Sequence, residues 1–477
     1  MFGFLILALV AVFIAVIAVR TLRFTPKPQP KVCDETVAFD KDGAVDALAQ
    51  LIRCRTISYN DKSLEDEAEF EKLIALLPGL YPNVFRVCSF DQLPDRALLF
   101  RWPGKQEGAP AVMMAHYDVV PVNEENWDKA PFDAIIEDGF LWGRGTLDTK
   151  STFNGVLYAA NHLIGEGFQP EHDIYFAFSG GEEVNGLGAP NIVQYFAEHN
   201  ITPAIVVDEG GAIVQNVFPG VSQPCAVIGI AEKGMLNAQY RTVSAGGHAS
   251  APKPHTPVGV LAAACKKVED HPFPMHMTKP AAEMFDTLGR YSTPLYRMIF
   301  ANLWCFGWVL DLLGKKSGGE INALIRTTSA FTQMEGSSAR NVIPPEAKMV
   351  ANMRLNPADS IASALEYLKK TVNDPKVEIT AVDSFEPSRI SRTDCEAWEK
   401  LSATVLETWP GTIVTPYLMV ACSDSRHWGR ISDKVYRFCP MEMTNEERGT
   451  IHGNNERIRL KCIHDVVEFY IRLMKKY

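Results

Sequence analysis

Three short apolar runs constrain the fold of this 477-residue chain most strongly, because each is followed at once by side chains capable of chemistry. Residues 111–115, 174–178 and 204–207 have the length and the polar or glycine-bounded ends of buried strands. Helix-like segments such as 64–77 alternate with them, which predicts an α/β fold with a mostly parallel central sheet. In such sheets the functional groups gather beyond the carboxyl ends of the strands. The side chains found there are His116 and Asp118, then Glu182 and Glu183, then Asp208.

A second unit is predicted for residues 233–385. Its strand-like segments are 234–244, 323–333, 348–355 and 377–382, and its helix-like segments are 257–268 and 361–372. That order suits a small α+β domain with an antiparallel sheet, inserted into the larger domain. We therefore expect a catalytic domain made of residues 41–232 and 386–477, with residues 233–385 as a lid.

The long insertion at 285–315 is apolar around most of a helix over residues 295–310. Arg297 and Asn302 interrupt it too strongly for a second membrane span. The pattern favours a buried lid helix, and a surface facing lipid or an acyl chain is the alternative.

Residues 2–19 form an unbroken apolar run just long enough to cross a bilayer. Arg20, Arg23 and Lys27 follow it, together with prolines at 26, 28 and 30. We expect a transmembrane anchor at 1–24 and a stiff linker at 25–40, rather than a cleaved signal peptide, because no basic side chain precedes the run and 19–21 is a poor cleavage site. The basic residues behind the run favour a cytoplasmic catalytic part.

The composition excludes one class of partner. The net charge is −10, and no cluster of Lys and Arg with interleaved aromatics offers a face for phosphates, so nucleic acid is not expected as a partner. The ten cysteines are spread singly, without the paired spacing of a structural zinc site, and are interpreted as mostly reduced thiols.

Five separated segments of the sequence contain side chains that can bind metal ions or transfer protons. His116 at a strand end is a typical metal ligand, and Asp118 could accept its other ring N–H. Asp148 lies in a glycine-flanked turn, where a carboxylate could bridge two cations or simply cap a helix. Adjacent carboxylates such as Glu182 and Glu183 are costly to hold together unless cations or protons neutralise them. Asp208 before glycines and His452 on a distant polar loop complete the set.

Through GRGTLD, SGGEEVNGLGA, VDEGG, SAGGHASAP and RNVIPP, the chain resembles the M20 metallopeptidase family over about residues 40–475, most closely its carboxypeptidase S and N-acyl-amino-acid hydrolase branch. The resemblance implies a zinc-peptidase-like catalytic domain that holds two zinc ions, with Co²⁺ or Mn²⁺ as substitutes. It implies one zinc on His116 and Asp208, a second on Glu183 and His452, and Asp148 bridging both. Relatives often carry a second acidic residue where Thr149 stands.

The resemblance also implies roles in catalysis. Asp118 would orient His116, and Glu182 would be the general base that takes a proton from water and passes it to the leaving nitrogen. His248 of the inserted domain would donate to the oxyanion, commonly in the site of a partner subunit, which implies a homodimer.

A free carboxylate on the substrate calls for a guanidinium, so Arg426 and Arg354 are the candidates for binding it, with Asn341 as a polar contact. The expected substrate is a small peptide or an N-acyl amino acid. Two alternatives are a non-catalytic, membrane-anchored binding protein and a zinc aminopeptidase. The presence of every implied ligand and of Glu182 disfavours the first, and the two arginines disfavour the second.

Overall fold

The computed structural model describes residues 2–29, 32, 35–216 and 218–477. Part of the predicted 25–40 linker, including Pro30, lies outside these residues, as does Cys33. The elements up to residue 232 are, in chain order, α1 (Phe2–Arg23), α2 (Lys41–Ile52), α3 (Glu67–Leu80), α4 (Pro82–Val87), β1 (Ser89–Leu93), β2 (Ala97–Trp102), β3 (Ala111–His116), β4 (Ile135–Glu137), β5 (Phe140–Trp142), α5 (Lys150–Gly165), β6 (Ile174–Ser179), α6 (Gly188–Glu198), β7 (Ile205–Val214) and β8 (Cys225–Glu232).

The remaining elements form the inserted segment and the return to the large domain. They are β9 (Gly234–Val243), β10 (Gly247–His248), α7 (Pro257–Asp270), α8 (Lys279–Tyr291), α9 (Pro294–Ala301), α10 (Leu303–Ser317), α11 (Gly319–Ile325), β11 (Thr328–Glu335), β12 (Val342–Ile343), β13 (Glu346–Leu355), α12 (Ile361–Val372), β14 (Glu378–Phe385), α13 (Glu396–Thr408), β15 (Ile413–Met419), β16 (Val435–Glu442), α14 (Asn445–Arg448), β17 (Arg457–Arg459) and α15 (Leu460–Met474).

The central sheet runs in the order β1-β2-β6-β3-β7-β16-β8-β15. Its middle strands β6, β3, β7 and β16 are parallel to one another, while β1 and β2 pair antiparallel at one edge. Strands β3 and β6 are buried at every position, as strands covered on both faces should be. The predicted α/β fold around a mostly parallel sheet is confirmed.

Helices α2, α5 and α15 cover one face of this sheet and contact one another closely. Gly155 lets α5 approach α15, because a Cβ at this position would lie 2.3 Å from Val466 Cγ1. α15 buries an apolar stripe that includes Val466, Tyr470 and Met474, which repeat at the helical spacing of four residues. The three helices thus form one packed layer against the sheet.

The inserted segment contains a four-stranded antiparallel sheet in the order β11-β13-β9-β14. In β9 and β13, buried and half-exposed side chains alternate, so one face of the sheet is buried, and α7 contacts these strands while α12 contacts α7 and β14. Leu236, Tyr240 and Met353 belong to this core, which is separate from that of the large domain.

Helices α8 to α11 lie in the inserted segment but pack on the large domain. Met284, Phe285 and Phe300 belong to the core of the central sheet, and α8 contacts β15. The sequence favours a single buried lid helix over residues 295–310, but two helices form there instead. Asn302 ends α9 and caps α10, the two helices meet at 111°, and large apolar side chains of α10 stay exposed.

Helix α1 is long and apolar enough to cross a membrane, a property that membrane anchors and signal sequences share. Its C-terminal half contacts the junction of α9 and α10.

Candidate metal centre

The ends of three neighbouring strands position the acidic and imidazole side chains. His116 is the last residue of β3 and pairs in parallel register with Ser179, the last residue of β6. Glu182 and Glu183 follow β6 in a single 3₁₀ turn. β7 lies on the other side of β3 and carries Asp208 and Glu209. These side chains therefore meet at one edge of the sheet.

Two distant loops bring the remaining groups to this edge. Asp148 Oδ1 lies 2.9 Å from His116 Nε2, and its Oδ2 lies 3.1 Å from His452 Nε2. The same His452 nitrogen lies 3.1 Å from Glu183 Oε2. Asp148 thus lies between two imidazoles, in the position expected of a carboxylate that bridges two cations. The peptide between Asp148 and Thr149 is cis.

Glu209 lies closer to His116 than Asp208, the residue that the sequence predicts as its co-ligand. Its Oε1 lies 3.4 Å from His116 Nε2. Two groups of side chains among the described residues are close enough to hold a metal ion, namely His116 with Asp148 and Glu183, and His116 with Glu182 and Glu209. Asp208 is in neither, because its carboxylate accepts from the backbone N–H of Ser425 at 2.9 Å. Glu209 is the second acidic residue of the motif VDEGG, and this motif is the sequence feature that could have indicated it.

Asp118 contacts His116 and also the turn that carries the two glutamates. The Nδ1 atom of His116 lies 3.0 Å from the backbone oxygen of Asp118 and 3.4 Å from its carboxylate. The carboxylate itself accepts from the backbone N–H groups of Glu182 and Glu183, at 3.1 and 3.2 Å. Asp118 therefore fixes the turn that carries the two glutamates relative to His116.

Glu456, which the sequence reasoning did not single out, ties the two distant loops together. It is fully buried, pairs with Arg144 at 2.6 Å and accepts from the backbone N–H of Leu147 at 2.7 Å. Arg144 also donates to the backbone oxygen of Gly453 at 2.7 Å. This ion pair holds the loop of Asp148 against the loop of His452.

The electrostatics of the site favour cations. Burial raises the pKa of Glu182 well above its ordinary value, with Glu209, Asp424 and Glu183 adding to the effect. Burial likewise raises the pKa of Glu209 to about 8. Hydrogen bonds that the His452 ring donates to Asp148 and Glu183 raise the pKa of His452 to about 10. Carboxylates crowded in this way repel one another unless positive charge lies between them.

One buried atom gives a direct test of whether a metal fits. Glu183 Oε1 is buried and has no hydrogen-bond partner among the described residues. A buried carboxylate oxygen is expected to have a partner, and a cation would supply it. With carboxylate and imidazole donors, the set suits zinc and other divalent transition metals.

A buried polar network joins this site to the loop 421–426. Glu232 pairs with Arg437 at 2.5 Å and accepts from the backbone N–H of Ser423 at 2.8 Å. Asp208 holds the same loop through Ser425. The loop is therefore fixed from two sides.

Arg426 and Arg354 both lie at this loop. Arg426 donates to the backbone oxygen of Ser423 at 2.7 Å and to Asn185 Oδ1 at 3.0 Å, two residues beyond Glu183. Arg354, at the end of β13 in the inserted segment, donates to Cys422 Sγ at 3.2 Å. The structure thus brings both predicted arginines to one loop, with Arg426 reaching the turn of the glutamates.

His248 and Asn341 lie elsewhere. They belong to the short β10–β12 ribbon, where the backbone N–H of Ala249 donates to Asn341 O, and both residues are exposed. The hydrogen bond of the His248 side chain is to Ser250, at 2.8 Å. Within the described single chain, they do not join the metal centre.

An apolar cavity of about 300 Å³ adjoins the site. Gly210 and Ile451, which line it, are the neighbours of Glu209 and His452. Its far side is formed by Met284 on α8 and by Ile321 and Leu324 on α11. No motif in the sequence indicates this cavity.

An α/β domain that gathers two imidazoles and several carboxylates at the carboxyl edge of its parallel strands belongs to the class of metal-dependent hydrolases. The profile of "Peptidase family M20/M25/M40" matches residues 112–476. The chain belongs to this family, whose metallopeptidases are metal-dependent enzymes.

Relatives of known description agree with this assignment. The chain is 34% identical to a probable carboxypeptidase S-like 2 of Dictyostelium discoideum, covering 96% of this chain and 91% of that one. It is 33% identical to an N-fatty-acyl-amino acid synthase/hydrolase of Xenopus tropicalis, covering 97% and 92%. Its fold is similar to that of an M20 family metallo-carboxypeptidase from Sulfolobus solfataricus, with a TM-score of 0.66 at 17% identity, covering 91% and 98%.

Proposed function

We propose that this protein is a dinuclear zinc hydrolase that cleaves the amide bond of N-acyl amino acids with an apolar acyl group. The observation that carries the proposal is the meeting of His116, Asp148, Glu183 and His452, with Glu182 and Glu209 beside them. We assign one zinc to His116 and Glu209, the other to Glu183 and His452, and the bridging position to Asp148. Glu209 thus replaces the Asp208 of the sequence prediction.

When bound, two divalent cations polarise a carbonyl oxygen and favour the ionisation of a water molecule. Glu182 is the general base: it accepts a proton from the attacking water and delivers it to the leaving nitrogen. Asp118 positions Glu182, because its carboxylate fixes the backbone N–H of that residue.

The free carboxylate of the substrate is bound by Arg426, with Arg354 beside it. A guanidinium offers paired donors that match a carboxylate. Arg426 is supported by its contact with Asn185, which places it across from the glutamates. An aminopeptidase would instead need an acidic anchor for a free amine, so the two arginines favour a carboxylate.

The acyl group lies in the apolar cavity beside the site. The cavity begins next to Glu209 and His452 and is lined mainly by apolar side chains, including Phe218, Met419 and Leu324. A hydrocarbon chain is the ligand that gains most from such a lining. This favours a long acyl group over the polar side chain of a dipeptide, and the Xenopus relative is described as acting on N-fatty-acyl amino acids.

The oxyanion is stabilised by His248 of a partner subunit in a homodimer. Support comes from the exposure of His248 on the β10–β12 ribbon, where it is free to reach another chain. We further assign α1 as a membrane anchor that leaves the catalytic part in the cytoplasm.

The test is a substrate panel on the purified full-length enzyme. N-oleoyl amino acids, blocked dipeptides and amino-acid amides with a free amine are compared, each with and without prior chelation. We expect the N-oleoyl compounds to be hydrolysed with the highest kcat/KM, chelation to abolish turnover, and zinc to restore it. Preference for the free-amine substrates would indicate an aminopeptidase and contradict the proposal.

Glu182→Gln is the matched variant for this experiment. It keeps the shape of the side chain and removes the base, so turnover should fall at least about a hundredfold, as for loss of general base catalysis. Metal analysis should still find two zinc ions per chain. Normal turnover in Glu182→Gln would show that Glu182 is not the base.

A further inference from the structure

Helix α10 exposes a stripe of large apolar side chains. Trp304, Trp308 and Leu312 are spaced by four residues, so they lie on one face of the helix, and they are 58%, 66% and 56% exposed. Leu313 beside them and Leu295 on α9 are 53% and 64% exposed. Single exposed apolar residues are ordinary, but a contiguous patch of this kind marks an interaction surface.

The patch is attached to the one described helix that by itself can cross a membrane. The ring of Phe13 on α1 contacts the ring of Trp304 edge to face, with 5.8 Å between centroids. Arg20 donates two hydrogen bonds to the backbone oxygen of Ala301, at 3.1 and 3.0 Å. Asn302, at the break between α9 and α10, is buried and donates to Thr21 Oγ1 at 3.2 Å.

These contacts fix the depth of the patch relative to α1. Phe13 lies seven residues before Arg20, which is about 10 Å along the helix axis at 1.5 Å per residue. Arg20 is the first charged side chain after the apolar run and marks the level of the headgroups. Trp304, beside Phe13, is then at the level of the acyl chains.

We propose that α10 inserts its apolar stripe into the same leaflet as the C-terminal half of α1, while the break at Asn302 lies near the level of the headgroups. The occupant of the apolar stripe is the hydrocarbon of the bilayer. The polar groups at the break are satisfied, since Asn302 bonds to α1 and the two helices satisfy their own backbones, as insertion requires.

The apolar cavity is lined by the helix that follows α10. α11 follows α10, and Ile321 on α11 lines both this cavity and a second, open one that includes Tyr296 of α9. If the proposed function holds, a membrane-dissolved acyl substrate reaches the site along this path. The insertion itself does not depend on the reaction.

The test uses tryptophan fluorescence of the full-length protein in liposomes of phosphatidylcholine whose acyl chains do or do not carry bromine, a short-range quencher. We compare the wild type with Trp304→Phe/Trp308→Phe, and with Trp142→Phe as the matched control on the three-stranded sheet. We expect bromine to quench the wild type and Trp142→Phe to a similar extent, and the double variant much less. Thermal unfolding of each variant verifies that it is folded.

Two outcomes would contradict the proposal that α10 inserts into the bilayer. Equal fractional quenching of the wild type and the double variant would place both tryptophans outside the hydrocarbon. Protection of both from bromine and also from aqueous acrylamide would mean that protein covers them, most simply a second copy of the chain. Because no turnover is measured, either result leaves the proposed function to its own test.

Discussion

At the scale of single residues, two adjacent carboxylates on β7 serve different parts of the molecule. The pairing of β7 with β16 is irregular between Asp208 and Gly211, and the two carboxylates have different partners there. Glu209 faces His116 at 3.4 Å, while Asp208 binds the backbone of Ser425 and so fixes the loop that carries Arg426. In the proposed mechanism, a metal ligand and a positioning residue are thus neighbours in the chain.

The two roles predict opposite results for two matched amide variants. Glu209→Gln should reduce bound zinc from two ions per chain towards one, because it removes an anionic ligand. Asp208→Asn should keep both ions and raise KM for the carboxylate-bearing substrate, since the loop of Arg426 loses its charged acceptor. Metal analysis after dialysis measures the first effect and steady-state kinetics the second. Loss of zinc in Asp208→Asn alone would reverse the assignment.

At the scale of elements, α11 forms the wall between the apolar cavity and the open cavity beside α9. Ile321 and Phe218 line both cavities, and Ile321 is the one of the two that α11 contributes. The length of acyl chain that the enzyme accepts should therefore depend on the size of residue 321.

Ile321→Trp should obstruct this passage. We expect kcat/KM for N-oleoyl amino acids to fall about tenfold or more, the effect of losing roughly 1.4 kcal/mol of binding, with little change for N-butyryl compounds. Ile321→Val, which leaves the passage open, is the control. An equal loss for both chain lengths in Ile321→Trp would place the acyl group elsewhere.

The junction between β8 and β9 carries a buried lysine. Lys233 donates to the backbone oxygens of Ala323 and Arg326 at 3.0 and 2.9 Å. Burial lowers the pKa of Lys233 to about 7, with Arg354 contributing, while Asp359 opposes the shift.

This pKa predicts a pH dependence of stability. Between pH 7 and 10, Lys233 is protonated in the unfolded chain and neutral in the folded chain. The free-energy cost of burying Lys233 is therefore greatest below pH 7 and declines as the pH rises. The free energy of unfolding of the wild type minus that of Lys233→Met should therefore increase from pH 6.5 to pH 9. Urea unfolding at both pH values measures it, and a difference that is independent of pH would contradict the prediction.

At the scale of the whole molecule, the proposed metal ligands meet within one chain, but the proposed oxyanion donor lies apart from them. His248 bonds to Ser250 on an exposed ribbon and contacts none of the metal-centre side chains within the described chain. A homodimer in which each ribbon reaches the other site would make catalysis depend on both chains.

Mixing two inactive variants tests this dependence. His248→Ala and Glu182→Gln should each be inactive alone. After dissociation and reassociation of a one-to-one mixture, activity should return to about a quarter of the wild type, because half of the dimers are mixed and one of their two sites is intact. A mixture that stays inactive, from chains that do form dimers, would show that His248 does not act across subunits.

The sequence by itself determined the strand and helix pattern of the central sheet and the types of residue at its carboxyl edge. Apolar runs and helical periodicity are local properties of a sequence, so the central strands at 111–115 and 174–178, and the helix at 361–372 of the inserted segment, could be assigned before any contact was known. His116, Asp148, Glu183 and His452 were also named correctly as neighbours, through motifs rather than geometry.

Only the tertiary structure decided which carboxylate of Asp208 and Glu209 faces His116, since that depends on the direction of each side chain on β7. It also decided the pairing of Arg144 with Glu456, which are 312 residues apart. The break at Asn302 is stabilised by contacts with α1, almost three hundred residues away. Such contacts have no local pattern, because chain segments that meet only after folding leave no periodicity in the sequence.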